Sequence, residues 1–431
     1  MAERRGGDAL ALAYGGLPGR YWIVLACFLA TFTCYVDRVG FSIAYTPVAE
    51  AEHETEALKG AILSAFYYGY STSQIPGGWA AARFGSQRTL LWSFVGWAGV
   101  TTLLPLALAR PTVLSGARAL VGCAQGLVIP SVHTTLAQWI PANEKARAVS
   151  LSTSGMYLGS TLAMAYLPGL VAAHGPVRLI AGIGALGLAW VGFWLYVLGR
   201  EAQVADYDQV PVGKGKRAGR VEVPWGELLR QPAVWAICAN NFTFHYVLYV
   251  LMNWLPTYFE RLLHAELSHL GLIKTLPYLF MFLFSNVGGV LGDWLVNRRS
   301  VSVRGTRVLI NSAGFAVAAG AVAAMPYATA SAGATGLLTV TLAALGLARG
   351  GFSVNHMDVA PKYAGIVMGI SNTCGTVAGI IGVSATGVLL ERGGGSDRVP
   401  GWTAALNVCS GLCLAGALVF YVFAQGLPVV S

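Results

Sequence analysis

Apolar residues in this chain are gathered into long, nearly uncharged runs that short polar segments separate. A helix needs about 20 apolar residues to cross a bilayer, whereas a tilted β-strand needs about 9–11, and these runs have the helical length. Lipid leaves only helices and closed barrels as spanning structures, because every backbone N–H and C=O must find a partner inside the protein. The pattern therefore predicts an all-α membrane protein with twelve transmembrane helices. The predicted spans lie near residues 22–46, 58–81, 88–108, 112–139, 147–172, 177–199, 232–259, 268–296, 305–327, 333–358, 361–390 and 401–426.

One long polar stretch divides the pattern into two halves. Residues 200–230 contain Gly, Pro and charges of both signs, which indicates a cytosolic linker. We therefore predict two pseudo-symmetric six-helix bundles, at 21–199 and 231–431, after an N-terminal cytosolic segment at 1–20. Related strings end the second span of each half, IPGGWAAARFGSQR and NVGGVLGDWLVNRR. Internal similarity indicates duplication, and the glycine pairs predict close approach of neighbouring helices.

Charged residues make up 11% of the chain and hydrophobic residues 55%, with a net charge of +9. A soluble domain carries roughly 25% charged residues, so most of this chain does not face water. With a cytosolic N-terminus, most Lys and Arg fall on the cytosolic side. The opposite side receives Lys59, Arg110, Arg178, Arg261, Arg392 and Arg398. The positive-inside rule then predicts that both termini are cytosolic. The basic charge follows the topology, and no nucleic acid partner is expected.

The N-terminal segment and the cysteines exclude further classes. The first 20 residues are too polar for a cleaved signal peptide, and their acidic residues argue against a transit peptide. We expect the Golgi or another endomembrane, with the plasma membrane as the alternative. The seven cysteines lie in apolar spans without metal-ligand spacing, and no nucleophile–base pair or HExxH helix is visible. The sequence predicts no enzyme, no cofactor and no metal site.

Three charges stand at membrane depth: Asp37 and Arg38 in the first span, and Arg118 in the fourth. A charge there costs from a few to more than 10 kcal/mol and marks an ion or substrate path. The two spans run in opposite directions, so the late position of Arg38 and the early position of Arg118 place them at similar depth. A guanidinium group matches oxyanion oxygens bidentately. The pair predicts an anion site; an ion pair with a neighbouring helix is the alternative for Arg38.

Asp37 and His245 are the candidates for proton coupling. Asp37 points about 100° away from Arg38 on a helix. It is either a structural partner of Arg118 or another buried donor, or a carboxylate that takes up a proton when the site empties. His245 stands among aromatic residues in the seventh span. It is either a packed neutral imidazole or a proton carrier and donor to the anion.

Five strings carry a resemblance to a known family: YVDRVGFSIAYT, GYSTSQIPGGWAA, RALVGCAQGLVIPSVHTTLAQWIP, NNFTFHYVLYVLMNWLPTYFE and NHMDVAPKYAGIVMGISNT. The chain beyond residue 20 resembles the anion:cation symporter branch of the major facilitator superfamily, and most closely the Golgi-type members of plant phosphate transporter family four. The resemblance implies a monomer whose two bundles rock about a central cationic site. It implies inorganic phosphate as cargo, moved with protons. A small organic anion such as a sugar acid, ascorbate or glutamate, exchanged or moved with sodium, is the alternative.

The resemblance also assigns residue roles. Arg38 and Arg118 match the substrate-anion ligands of the branch, and Asn372 matches a neutral substrate donor. Gln125 stands where proton-driven members commonly carry Glu. An amide can bind the anion but cannot carry a proton, so the usual proton relay of the branch is altered here.

The cytosolic gate departs from the superfamily pattern as well. An Asp usually precedes the Arg of the motif after span two, but here Ala82 precedes Arg83, whereas the second half retains Asp293. We expect the gate to depend on the second-half copy, with Asp293 and either Arg298 or Arg299 as its charges.

Arg349 and Asp358 complete the predicted gating charges. Both lie in the tenth span, towards its cytosolic end. His356 and Asp358 are two residues apart on a helix and cannot converge on a metal ion. A gating role is therefore preferred to metal binding for this segment.

Overall fold

The computed structural model describes residues 19–54, 56–208, 223–264, 270–298 and 301–430. Most of the predicted N-terminal segment at 1–20 lies outside the described residues. So does the centre of the predicted linker at 200–230.

The described residues form α-helices, short helical turns and loops, and they contain no strand. In the first half the helices are α1 (Gly19–Ala51), α2 (Glu56–Phe84), α3 (Ser86–Leu103), α4 (Pro111–Gly126), α5 (Val128–Trp139), α6 (Lys145–His174) and α7 (Pro176–Asp208). In the second half they are α8 (Trp225–Arg230), α9 (Pro232–Thr257), α10 (Leu270–Asn297), α11 (Val303–Ala324), α12 (Ser331–Val359), α13 (Ala364–Arg392) and α14 (Val399–Phe423).

These helices confirm the predicted all-α membrane class. Eleven helical segments of the described chain are long and apolar enough to cross a membrane. The remaining long helix, α2, has 29 residues but carries the polar string STSQ at its centre. Each predicted span has a helical counterpart, and the span predicted at 112–139 consists of two helices, α4 and α5.

A proline explains the break between α4 and α5. Pro130 has no N–H, so it cannot donate to the carbonyl of Gly126, four residues earlier, and the helix is interrupted there. Leu127 separates the two helices, and its N–H bonds to the carbonyl of Ala124 at 3.2 Å. On α4 the buried side chains include Leu114, Arg118, Val121 and Gln125. Their helical spacing turns the two polar residues towards the packed face.

Contacts within the chain divide it into two units. The first unit comprises Met1–Pro141 and Leu151–Val223, and the second comprises Ala142–Ser150 and Pro224–Ser431. Sequence alone assigned the short segment 142–150 to the first bundle. The structure groups it with the second unit, because Asp293 on α10 holds the start of α6, as described below.

Glycines allow helix backbones to touch inside each unit. In the first unit, a Cβ added at Gly122 of α4 would lie 2.0 Å from the carbonyl oxygen of Phe66 on α2. In the second unit, a Cβ at Gly350 of α12 would lie 2.6 Å from the backbone of Gly288 on α10. The close approach expected at the glycine pair after span eight is therefore observed. The contact at Gly122 fixes α2 against α4 and brings Phe66 beside Arg118.

Candidate functional site

Asp37 lies at the centre of a buried polar cluster in the first unit. Its Oδ2 accepts a hydrogen bond from Nε2 of Gln125 at 2.8 Å, and its Oδ1 accepts one from the hydroxyl of Thr101 at 3.2 Å. Nη1 of Arg118 lies 3.6 Å from Oδ2 of Asp37, and both side chains are almost completely buried. The structural pairing of Asp37 with Arg118, one of the two alternatives for this carboxylate, is therefore present. At 3.6 Å the ion pair is longer than a charge-assisted hydrogen bond of about 2.7–2.9 Å.

Arg38 occupies a half-open aromatic cage beside this cluster. Its guanidinium carbon lies 4.5 Å from the ring centre of Tyr35, 4.7 Å from that of Phe66 and 4.6 Å from that of Tyr70. Aromatic faces attract a cation and keep a flat guanidinium in a fixed plane. Asp37, its neighbour in sequence, makes its contacts on the buried side of α1. Three aromatic rings thus surround the guanidinium of Arg38.

The ring of Phe66 contacts both arginines. The guanidinium carbon of Arg118 is 5.0 Å from its centre and that of Arg38 is 4.7 Å. Arg118 also stacks on Phe41 at 3.9 Å. The structure therefore brings the two predicted anion ligands onto one aromatic residue, together with Asp37 and Gln125. Two cations and one exchangeable carboxylate within a single unit can bind an oxyanion and exchange a proton.

Gln125 has a role that sequence alone did not define. Its Nε2 donates to Asp37, which fixes the amide orientation, and its Oε1 is buried without a hydrogen-bond partner in the described part of the chain. A Glu at this position would face the carboxylate of Asp37. The amide avoids a second negative charge beside Asp37 and leaves Asp37 as the acidic group of the cluster.

His245, in the second unit, is packed between two helices. A Cβ added at Gly375 of α13 would lie 2.5 Å from Nδ1 of His245, so the imidazole fills the space that the glycine provides. The same nitrogen lies 2.9 Å from the carbonyl oxygen of Asn241. A carbonyl only accepts, so Nδ1 carries the proton and Nε2 is the basic nitrogen of the neutral ring. The imidazole is therefore packed, as the first alternative expected. Its Nε2 can still accept a proton, which is the chemistry that the second alternative needs.

Asn372 is buried on α13 beside the contact between α13 and α9. The preceding residue, Ser371, accepts a hydrogen bond from Nδ2 of Asn241 at 3.4 Å. Asn372 is 7% exposed, and its carbonyl accepts a bond from the hydroxyl of Thr376 at 3.1 Å. The structure thus places Asn372 and His245 on neighbouring helices of the second unit.

Asp293, a predicted gating charge, contacts the start of α6. Its two carboxylate oxygens accept the backbone N–H groups of Ala146 and Arg147, each at 2.9 Å, and Nε of Arg147 lies 3.8 Å away. Asp293 therefore caps the start of α6, where the first N–H groups of a helix lack partners and carry partial positive charge. Arg298, another of the predicted gating charges, stacks on Trp294 at 4.7 Å. Arg299 lies outside the described residues.

Asp358 and Arg349 also have separate partners. Asp358 accepts a hydrogen bond from Nε of Arg307 at 2.9 Å. Arg349 lies instead with its guanidinium carbon 5.1 Å from the ring centre of Phe244, next to His245. Arg307, a residue that the sequence marks only as a cytosolic charge, is therefore the buried partner of Asp358.

Arg83 completes the comparison with the expected gate. Its guanidinium is exposed and contacts the rings of Trp79 and Phe84, at 5.2 and 5.8 Å. No ion pair joins it to a carboxylate in the part of the chain that the structure describes. This agrees with the loss of the preceding acidic residue at Ala82.

Comparison with known proteins places this arrangement in a family. Residues 27–383 match the Major Facilitator Superfamily. The chain belongs to the major facilitator superfamily. Its fold is similar to that of a solved facilitator, a proton:xylose symporter bound to 6-bromo-6-deoxy-D-glucose, with a TM-score of 0.72 and 14% identity over 96% of this chain and 97% of that one. The superfamily consists of transporters and not enzymes.

Facilitators of plants are similar to this chain in sequence. "Probable anion transporter 6" of Oryza sativa subsp. japonica is 49% identical, covering 95% of this chain and 98% of the relative. "Ascorbate transporter, chloroplastic" of Arabidopsis thaliana is 34% identical, covering 96% and 76%. "Sodium-dependent phosphate transport protein 1, chloroplastic" of Arabidopsis thaliana is 31% identical, covering 96% and 81%. These relatives confirm the predicted resemblance of this chain to the anion-transporter branch of the superfamily.

Proposed function

We propose that this protein is a secondary active transporter of small anions, with inorganic phosphate as cargo and protons as the coupling ion. The observation that carries the proposal is the position of Arg118, whose Nη1 lies 3.6 Å from a buried carboxylate while its guanidinium shares the ring of Phe66 with Arg38. An arginine in that position can leave Asp37 for a substrate oxyanion. Arg38, already held in a plane by three rings, supplies the second set of donors.

Competition for Arg118 supplies a coupling mechanism. When Asp37 is ionised, it holds Arg118 and disfavours a second anion in the site. When Asp37 takes up a proton, Arg118 is released, because the attraction that held it is lost, and its donors turn to the substrate. Proton and anion therefore bind together and leave together, which is symport by alternating access. Thr101 and Gln125 keep the protonated carboxyl in place.

The names of the relatives support the cargo class in two ways. A phosphate transport protein supports phosphate, and an ascorbate transporter of somewhat higher identity supports a small organic anion as the second candidate. The name of the phosphate transport protein also includes sodium dependence, so sodium remains the alternative coupling ion.

We retain the Golgi or another endomembrane as the proposed compartment. A fluorescent fusion that colocalises with plastid markers instead would contradict it.

Transport by purified protein in vesicles tests the proposal. Labelled phosphate uptake is measured with an inward proton gradient, an inward sodium gradient, or neither, and with unlabelled ascorbate or glutamate as competitors. We expect accumulation driven by the proton gradient and abolished by a protonophore. Accumulation that follows only sodium would replace the coupling ion. If an organic anion competes far more strongly than unlabelled phosphate does, that organic anion is the cargo and phosphate is not. If no anion enters the vesicles, the proposed transport function is wrong.

A further inference from the structure

One buried polar side chain near Arg38 has no partner that explains it. Gln74 of α2 is 0% exposed, and neither its amide oxygen nor its amide nitrogen has a hydrogen-bond partner among the described residues. Buried amides are paired in nearly all proteins, because an amide that loses water without gaining a hydrogen bond destabilises the fold. An amide with both ends unpaired therefore points to a ligand that is not part of the chain.

The position of Gln74 on α2 relates it to the residues that contact Arg38. Phe66, Tyr70 and Gln74 are spaced by four residues, so they follow one another along one side of α2. The first two rings hold the guanidinium of Arg38, at 4.7 and 4.6 Å. Gln74 is one helical turn beyond Tyr70, a rise of about 6 Å towards the predicted cytosolic end. The side of α2 that contacts Arg38 therefore also carries the unpaired amide of Gln74.

We propose that Gln74 contacts the transported anion and selects anions that carry a hydroxyl proton. This inference rests on the proposed function and deepens it. An amide presents a donor and an acceptor together. Nε2 donates to an oxygen of the anion, as the arginines do, whereas Oε1 needs a hydrogen atom from the ligand. Hydrogen phosphate and hydroxy acids supply that hydrogen, and sulfate at neutral pH does not.

Selection of this kind is strong, because the wrong ligand leaves a buried acceptor unpaired. Sites built to bond a hydroxyl reject analogues that lack it far better than apolar pockets reject a change of size. Sulfate has nearly the size, shape and charge of phosphate, so the arginines bind both. The unpaired Oε1 predicts a preference of about 10-fold or more for phosphate over sulfate.

The test compares Gln74→Met with the wild type in vesicles. Methionine has nearly the same length and lacks both polar groups, so it removes the contact with little change of volume. Inhibition of labelled phosphate uptake by unlabelled sulfate and by unlabelled phosphate gives a selectivity ratio. We expect the KM for phosphate to rise about 10-fold in the variant and the ratio to fall towards one.

Thr72→Ala is the matched control on the same helix. Its exposed hydroxyl bonds to the carbonyl oxygens of Tyr68 and Gly69, at 3.1 and 3.0 Å, so only α2 itself is perturbed. Thermal stabilisation of the purified proteins by phosphate and by sulfate provides a binding measurement if Gln74→Met transports too slowly. We expect phosphate to stabilise the wild type and the control more than sulfate does, and the variant equally with both.

Two kinds of failure are distinguishable. If the wild type neither transports nor binds phosphate, the proposed function fails, whatever Gln74 does. If the wild type prefers phosphate and Gln74→Met keeps the same ratio within about two-fold, the role of Gln74 is overturned and its amide is structural. A purely structural role changes the melting temperature and leaves the ratio unmoved.

Discussion

The two units each bury an aspartate beside arginines, but the partners are of different kinds. Asp37 in the first unit receives only side-chain groups, with Gln125 at 2.8 Å, Thr101 at 3.2 Å and Arg118 at 3.6 Å. Asp293 in the second unit receives two backbone N–H groups of α6 at 2.9 Å. Side chains can turn away by changing rotamer, whereas backbone donors move only with their helix. The first arrangement is suited to exchanging ligands and the second to holding a helix.

Arg118→Ala is expected to have the largest effect. The variant removes a proposed anion ligand and leaves Asp37 without the guanidinium that lies 3.6 Å from its Oδ2. Two charge-assisted hydrogen bonds at about 1.5–3 kcal/mol each predict a fall in uptake of roughly 100-fold or more. Phosphate uptake in vesicles measures it, with Arg398→Ala, whose side chain is 71% exposed, as the control. Near-normal uptake by both the Arg118→Ala and the Arg38→Ala variants would contradict the assignment of the anion site to these arginines.

Asp37→Asn separates coupling from binding. The amide keeps polar contact with Thr101 and Gln125 but cannot take up a proton, so Arg118 is free for the substrate at all times. We expect phosphate exchange across the membrane within about three-fold of wild type and loss of accumulation driven by a proton gradient. Counterflow measures the first and a pH jump the second. Accumulation that survives the substitution would assign coupling to another group, with His245 as the next candidate.

Asp293→Ala tests the helix-holding arrangement. Two buried N–H groups at the start of α6 lose their acceptor, which predicts a loss of about 1–3 kcal/mol in stability. The melting temperature in detergent should fall by a few degrees. Asp397→Ala, at a side chain that is 63% exposed, is the matched control. Equal melting temperatures for the two variants would show that the cap on α6 contributes little.

Arg298→Ala is expected to have the smallest effect. The guanidinium stacks on Trp294 and does not reach Asp293, so uptake and stability should stay close to wild type, within about 0.5 kcal/mol. Arg147→Ala, which removes the arginine next to Asp293, should change stability more. The opposite order would show that Arg298, and not Arg147, is the arginine that contributes to the predicted gate.

Sequence was sufficient for the helices and for the centre of the first unit. Long apolar runs are specified by bilayer thickness, so eleven of the predicted spans follow from hydropathy. Asp37, Arg38 and Arg118 were found because a charge within such a run is costly enough to need a function. Their depth match followed from counting residues along antiparallel spans.

Contacts that depend on backbone groups or on rotamers were beyond sequence reasoning. Asp293 bonds to N–H groups, which every residue except proline possesses, so Ala146 carried no signal. Arg307 looked like any cytosolic basic residue until its burial was known. Phe66 and Tyr70 are spaced by four residues within a run of aromatic residues, a signal that was present but is shared by many lipid-facing helices.

The ring of Phe66 has a consequence for the unloaded carrier. Two cations repel each other by roughly 1–2 kcal/mol when they are about 10 Å apart in a medium of effective dielectric constant near 20. Each cation–π contact returns about 0.5–2 kcal/mol, so contact of both guanidinium groups with the ring of Phe66 offsets repulsion between them. The unloaded protein therefore keeps both guanidinium groups beside one aromatic residue, and an arriving anion competes with Asp37 for Arg118.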